Sequence, residues 1–186
     1  MHLSYLPTDE SMKGSDLPGQ RNIPGPLNRA ATDETFEIFI IIAESARKFL
    51  TFSDPRDSGR TPLHAACRAG ASLTVNYLLM QKEIQTIIDS KDDQGRTPLS
   101  YASEHGHISI VYCLLNSGKP DISAKDNGGR SPLDYSEGCY EIWFMLSFCR
   151  EKERRGIEGP ILDFGSLMRY CACFRARIMA DKMTGQ

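Results

Sequence analysis

The sequence holds no long apolar run. Its most hydrophobic stretch, Phe36 to Ala43, is interrupted by Glu37 and falls far short of the roughly 20 residues that a bilayer-spanning helix needs. Nor is either charge sign in excess. With 22 Lys and Arg against 24 Asp and Glu, the net charge is −2, so there is little electrostatic pull toward nucleic acid or anionic lipid. The N-terminus lacks a basic start followed by an apolar stretch, and no secretory leader is expected. The six cysteines are scattered without a Cys-x-x-Cys pair, which argues against tetrahedral zinc. They are expected as reduced thiols, with Cys67 and Cys113 in the core. Gly-x-Ser-x-Gly, Gly-x-x-x-x-Gly-Lys and His-Glu-x-x-His are all missing, leaving no constellation on which to build catalysis.

What the chain does have is one phrase written three times. Gly59-Arg60-Thr61-Pro62-Leu63-His64 returns as Gly95-Arg96-Thr97-Pro98-Leu99-Ser100 and as Gly129-Arg130-Ser131-Pro132-Leu133-Asp134. The steps from Thr61 to Thr97 and from Thr97 to Ser131 are 36 and 34 residues. A fixed period of this length marks an array of stacked supersecondary units. Each phrase is a helix start. The Thr or Ser hydroxyl can accept from an orphan N–H as N-cap, Pro suits the first helical position, and Leu turns inward. Asp134, three residues after Ser131, makes a capping-box pattern. Gly70 and Gly106 can end the first helix. Val75, Leu78 and Leu79, then Ile110, Val111, Leu114 and Leu115, give a second helix an apolar face. Neither helix hides its stripe alone, so neighbours must stack.

These motifs resemble the ankyrin repeat, whose phrase Gly-x-Thr-Pro-Leu-His is followed by Ala-Ala, Gly-His and Val-x-x-Leu-Leu. Asp57 to Asp92 is similar to one repeat and Asp93 to Asp126 to a second, in wording common in fungal arrays. The third, Asn127 to about Arg150, departs: Tyr140 stands in the place of a glycine, Glu137 replaces a small residue, and Met145, Phe148 and Cys149 replace the Val and Leu-Leu positions. It reads as a capping repeat. The resemblance implies an all-α fold, a short ankyrin-repeat solenoid of helix-turn-helix units with flanking helices.

The flanks are read from composition and periodicity. Residues 1–30, with Pro7, Pro18, Pro24 and Pro26 among Gly and Ser, are expected to be disordered. Residues 31–52 are expected to form a capping helix that begins near Thr32 and closes the first repeat. The array spans 53–150, in repeats of about 57–92, 93–126 and 127–150. Residues 151–186 form a helical or partly disordered tail, in which Leu167, Cys171, Phe174 and Ile178 recur at helical spacing.

Candidate sites are few. His105-Gly106-His107 with Cys113 offers too few ligands at recognised spacings for zinc, and Cys171 and Cys173 point to different helix faces. His64 is expected to hydrogen-bond at the repeat turns and hold neighbours in register. By resemblance, partners are met at the turn tips and on the exposed side of the first helices. Carried over position by position, these are Asp57, Ser58, Arg60, Arg68 and Ala69, then Asp93, Gln94, Arg96, Glu104 and His105, then Asn127, Gly128 and Arg130. Arg60, Arg96 and Arg130 form a row. Guanidinium forks suit bidentate contact with a partner's carboxylates, and suit equally salt bridges that stitch turn to turn.

The function expected is a non-catalytic module or adaptor that binds another protein. It is expected to act as a monomer inside the cell, in the cytoplasm or nucleus, without metal, cofactor, nucleic acid or membrane. Two alternatives stay open: a fragment of a larger scaffold, and a regulatory or catalytic protein whose activity lies in the flanks.

Overall fold

The computed structural model describes residues 26–117, 120–156, 165–166, 168–169 and 171–172. Among them there are eight α-helices and no strand, only an isolated bridge between Asp54 and Arg60. The helices are α1 Pro26–Ala30, α2 Phe36–Ser45, α3 Pro62–Ala69, α4 Ser72–Leu79, α5 Pro98–Glu104, α6 Ile108–Ser117, α7 Pro132–Tyr135 and α8 Tyr140–Arg154. They pair in order. The odd-numbered helices form an inner row, each packed on the next, and the even-numbered helices form an outer row. The fold is an all-α solenoid of stacked helix pairs.

The repeated phrase starts the inner helices as its chemistry requires. Thr61 and Thr97 are extended N-caps whose hydroxyls accept from the N–H groups of His64 and Ser100. At Ser131 the bond runs the other way, with the N–H and Oγ of Ser131 both donating to the Asp134 carboxylate at 2.7 Å. Gly70, at φ +77°, closes α3 in the left-handed conformation, which costs a glycine little.

The apolar faces meet between the rows. Leu63, Val75, Leu78, Val111 and Leu114 are fully buried, with Leu79 and Leu115 nearly so. Cys67 is buried as expected, whereas Cys113 is only half-buried. In the third unit the inner helix shrinks to four residues and the outer one lengthens to 15. Met145, Leu146 and Cys149 supply its buried face there, with Phe148 half-buried against it.

The N-terminal flank departs from the reading of composition. The stretch expected to be disordered to residue 30 becomes helical at Pro26, and residues 1–25 lie outside the described residues. The single helix expected over 31–52 is broken. Residues Asp33–Thr35 form a 3-10 turn, α2 ends where Ala46 turns to φ −145° and ψ 58°, and Arg47–Thr51 is again 3-10. The physical reason is a hidden unit. Pro26-Leu27 precedes Pro62-Leu63 by 36 residues, the array's own period, and α2 precedes α4 by the same step. So α1 and α2 are an inner and an outer helix, not a lid. Leu27 and Phe39 are buried against the first phrase-bearing unit. Asp33 accepts from the N–H of Leu73 at 2.9 Å, capping α4 from the neighbouring unit. Of the tail's predicted stripe, Cys171 is described and buried; Leu167, Phe174 and Ile178 lie outside the described residues.

Leu114 sits at the centre of the outer row, and its exposure is zero. Truncation there removes transfer free energy and leaves a cavity between units. Leu114→Ala is expected to lose roughly 2–5 kcal/mol, read as a lower midpoint in urea denaturation.

Candidate functional site

The turns stack on one another through their backbones. Asp93 N–H donates to the Ser58 carbonyl at 3.0 Å, and Asn127 N–H to the Gln94 carbonyl at 2.9 Å. The Asn127 side chain adds a bond to the Asp93 carbonyl at 3.0 Å. This approach leaves no room for a Cβ beneath. One added at Gly95 would lie 2.6 Å from Asn127 Oδ1 and 2.9 Å from Asn127 N. The glycine of the phrase thus serves both a positive φ, +76° here, and the close contact of neighbouring turns.

Asp92 organises the second turn. Its Oδ1 accepts from the N–H groups of Gln94 and Arg96, each at 2.9 Å, and its Oδ2 accepts from the Tyr101 hydroxyl at 2.7 Å. Asp126 repeats the arrangement with Gly128, Arg130 and Tyr135. Tyr101 is buried and bracketed by two guanidinium groups. Arg60 Nε donates to its hydroxyl at 2.9 Å, Arg96 Nη2 donates to the same oxygen, and the Arg96 guanidinium carbon lies 4.0 Å from the ring centroid. Arg60 also pairs with Asp57 at 2.7 Å, and Arg96 with Glu104 at 3.0 Å.

The arginine row divides into buried and exposed members. Arg60 and Arg96 keep only 12% of their side-chain exposure, and Asp57 is buried too. Arg60 reaches across to Tyr101 of the following unit and ties the two units together, whereas Arg96 is held within its own unit by Tyr101 and Glu104. Arg130, with no further unit stacked beyond it among the described residues, is 62% exposed and stacks on Tyr135 at 4.4 Å.

His64 holds the same seam from the helix side. Its Nδ1 accepts from the Thr61 N–H at 3.2 Å, which leaves Nε2 to donate to the Arg96 carbonyl at 3.1 Å. Burial lowers its pKa to about 4, so the imidazole is neutral. Asn28, at the equivalent place in the hidden unit, donates to the Arg60 carbonyl at the same 3.1 Å.

The remaining predicted residues line an open edge. Arg68 and Ala69 at the end of α3, Glu104 and His105 at the end of α5, and Asp93, Gln94, Asn127 and Gly128 at the tips are exposed, and Ser58 is half-buried. The His105 ring stacks on His107 with centroids 5.9 Å apart. Among the described residues no three His, Cys, Asp or Glu side chains are placed to hold a metal ion, and no helix is long and apolar enough to cross a membrane. A cavity of about 250 Å³ lies beside the third unit, between Leu133, Asp134, Leu146 and Arg150.

Reasoning from the phrase alone overlooked Asn28, Asp92, Tyr101 and Tyr135. A signal was present for each. Asp recurs five residues before the cap and Tyr four residues after it in the second and third units, while Arg56 and Ala65 stand there in the first. Asn28 follows a Pro-Leu pair in register with the other three.

Comparison with known proteins agrees with this geometry. The family model described as ankyrin repeats in three copies matches residues 14–126 and 82–153. The ankyrin repeat and KH domain-containing protein mask-1 of Caenorhabditis elegans is 30% identical over 150 residues, covering 78% of this chain and 6% of that protein. The calmodulin-binding transcription activator homolog 1 of the same organism is 37% identical over 76 residues, 39% of this chain and 6% of that one. Alpha-latrotoxin-Lh1a of Latrodectus hasselti is 42% identical over 57 residues, 31% and 4%. The chain therefore spans 6% or less of the curated relatives it matches.

Two outcomes follow from the seam. With a folded pKa of about 4 for His64 against an ordinary value of 6.5, the unfolded chain takes up the proton first. Stability is then complete above about pH 7 and falls as pH drops from 6.5 toward 4, by roughly 3 kcal/mol. His64→Asn, which copies the hidden unit, is expected to remove that part of the slope in urea titrations run across this range. Arg60→Ala is expected to lower the thermal midpoint sharply because Asp57 loses a buried countercharge, whereas the exposed Arg130→Ala costs no more than about 1 kcal/mol.

Proposed function

The chain belongs to the ankyrin-repeat family, and on that footing we propose that it is a non-catalytic adaptor that binds another protein along its open edge. The observation that carries this reading is the division of labour among its polar side chains. His64, Asp92 and Tyr101 are buried and committed to bonds within and between units. Those facing outward, Arg68, Glu104, His105, Asp93, Gln94, Asn127 and Arg130, line one side of a stacked array. A rigid row of exposed polar groups at a fixed spacing suits recognition of an extended partner surface. Ser58, Ala69 and Gly128 belong to the same edge, while Asp57, Arg60 and Arg96 support it from beneath. The adaptor acts as a monomer within the cell, in cytoplasm or nucleus; the buried free thiols of Cys67 and Cys149 suit a reducing compartment.

A second reading, in which this array is one piece of a larger scaffold, is favoured by a particular feature. Among the described residues the third unit is stacked on one side only. Leu133 is half-buried where Leu63 and Leu99 are closed off, and a Cβ at Gly129 would meet nothing within 4 Å.

The test is capture followed by charge reversal. A partner identified by affinity capture with the parent chain is expected to be lost by Arg68→Glu combined with Arg130→Glu, with the helical circular dichroism unchanged, since substitutions of exposed side chains away from special features usually alter stability little. Binding by the parent is expected to weaken with added salt, because exposed charge contacts are screened over about 8–10 Å. Undiminished, salt-insensitive binding by the folded double variant would count against this edge.

A further inference from the structure

We propose that the cavity beside the third unit docks an acidic peptide segment of a partner protein, which crosses it extended, with an aliphatic side chain on Leu133 and Leu146 and a carboxylate on Arg150. The inference concerns the end of the array and does not depend on the open-edge reading. It starts from how one loop holds the next. The loop before the second turn grips the loop before the third: Lys91 Nζ donates to the Lys125 carbonyl at 2.8 Å, and Asp89 Oδ1 accepts from the Asp121 N–H at 2.9 Å. One donor and one acceptor thus hold the backbone of a short segment laid across them. The same two places, 34 residues on, are Lys125 and Ser123. Both are exposed and both line the cavity. An ammonium donates and a hydroxyl accepts, so the pair is equipped to hold a second such segment. Among the described residues no following loop supplies one.

The walls of the cavity name the ligand. Leu99 is only 1% exposed, whereas its counterpart Leu133 is half-buried, and with Leu146 it gives the cavity an apolar floor. At about 250 Å³ the space is smaller than the roughly 300–1,000 Å³ of sites that enclose a small molecule. It suits one or two side chains of a chain passing over it. The charge selects an acid. In α6, Asn116 stands where α8 carries Arg150, so a second cation joins Lys125 at the rim. Asp134 also lines the cavity, but its carboxylate is taken up by the N–H and Oγ of Ser131, both at 2.7 Å. Two cations against one carboxylate leave a single positive charge in excess. That matches one carboxylate, which a guanidinium fork holds well. A dianionic phosphate would bring a second negative charge beside Asp134.

The experiment titrates the isotope-labelled full chain with an acetylated, amidated peptide of alternating Glu and Leu and follows the backbone amide shifts. Saturable shifts are expected at Ser123, Lys125, Leu133 and Leu146. Exchanging the peptide's Leu for Ala is expected to weaken binding at least about tenfold, and exchanging its Glu for Gln roughly fivefold. Arg150→Asn, which copies α6, is expected to lose most of the preference for the Glu peptide. Arg68→Glu, on the open edge, is expected to leave the titration unchanged. Both side chains are exposed, so the fold should survive either change. Equal binding of the Glu and Gln peptides by the parent would overturn the proposal. So would a full Glu preference in Arg150→Asn, shifts confined to the open edge, or no shift at the cavity with millimolar peptide.

Discussion

Asp92 is a carboxylate with no exposed side-chain surface, and such a group is tolerable only when its lone pairs are taken up and its charge is answered. Here both conditions are met by the fold itself. Two backbone N–H groups of its own turn satisfy one oxygen, the Tyr101 hydroxyl the other, and two guanidinium groups close on Tyr101 from either side of the seam. The turn, the inner helix and the preceding unit are therefore parts of a single bonded network. Stacking of helices brings these groups together, and their bonds in turn fix how the turns stack.

That network decides which polar side chains stay exposed. An arginine row at the turn edge looks like a set of hooks for an acidic partner, but two of the three guanidinium groups are spent on Tyr101, Asp57 and Glu104. Of the three, only Arg130, with no following unit among the described residues, faces outward. The exposed polar side chains lie instead at the ends of the inner helices and the tips of the turns. The energetic logic is general for stacked units: the groups nearest the seam are drawn into it, and the groups one step further out remain available.

The seam also has a direction. The residue after the first two Pro-Leu pairs reaches the next unit, where Asn28 and His64 both donate to a backbone carbonyl. Ser100 bonds within its own cap at 3.2 Å. Asp134, an acceptor, is turned back on Ser131. A carboxylate at that place would face the carbonyl of any following unit of the same build, so the donor series runs out where the described stack ends.

The helices with the phrase, their caps, their apolar faces and the 34–36-residue period were legible in the sequence because each depends on neighbours within a few positions. Thr61 caps His64, Gly70 ends α3, and Leu78 and Leu79 share a face for local reasons. The hidden unit at Pro26-Leu27 was written there as well, at the right spacing, but its proline-rich approach and missing Gly-Arg-Thr obscured it. What sequence alone left open was the fate of Arg60 and Arg96. A guanidinium on a turn has the same local description whether it meets solvent, a partner or a tyrosine 41 residues on. Only the stacking of units, which brings Tyr101 within reach of Arg60, turned an exposed charge into a buried tie.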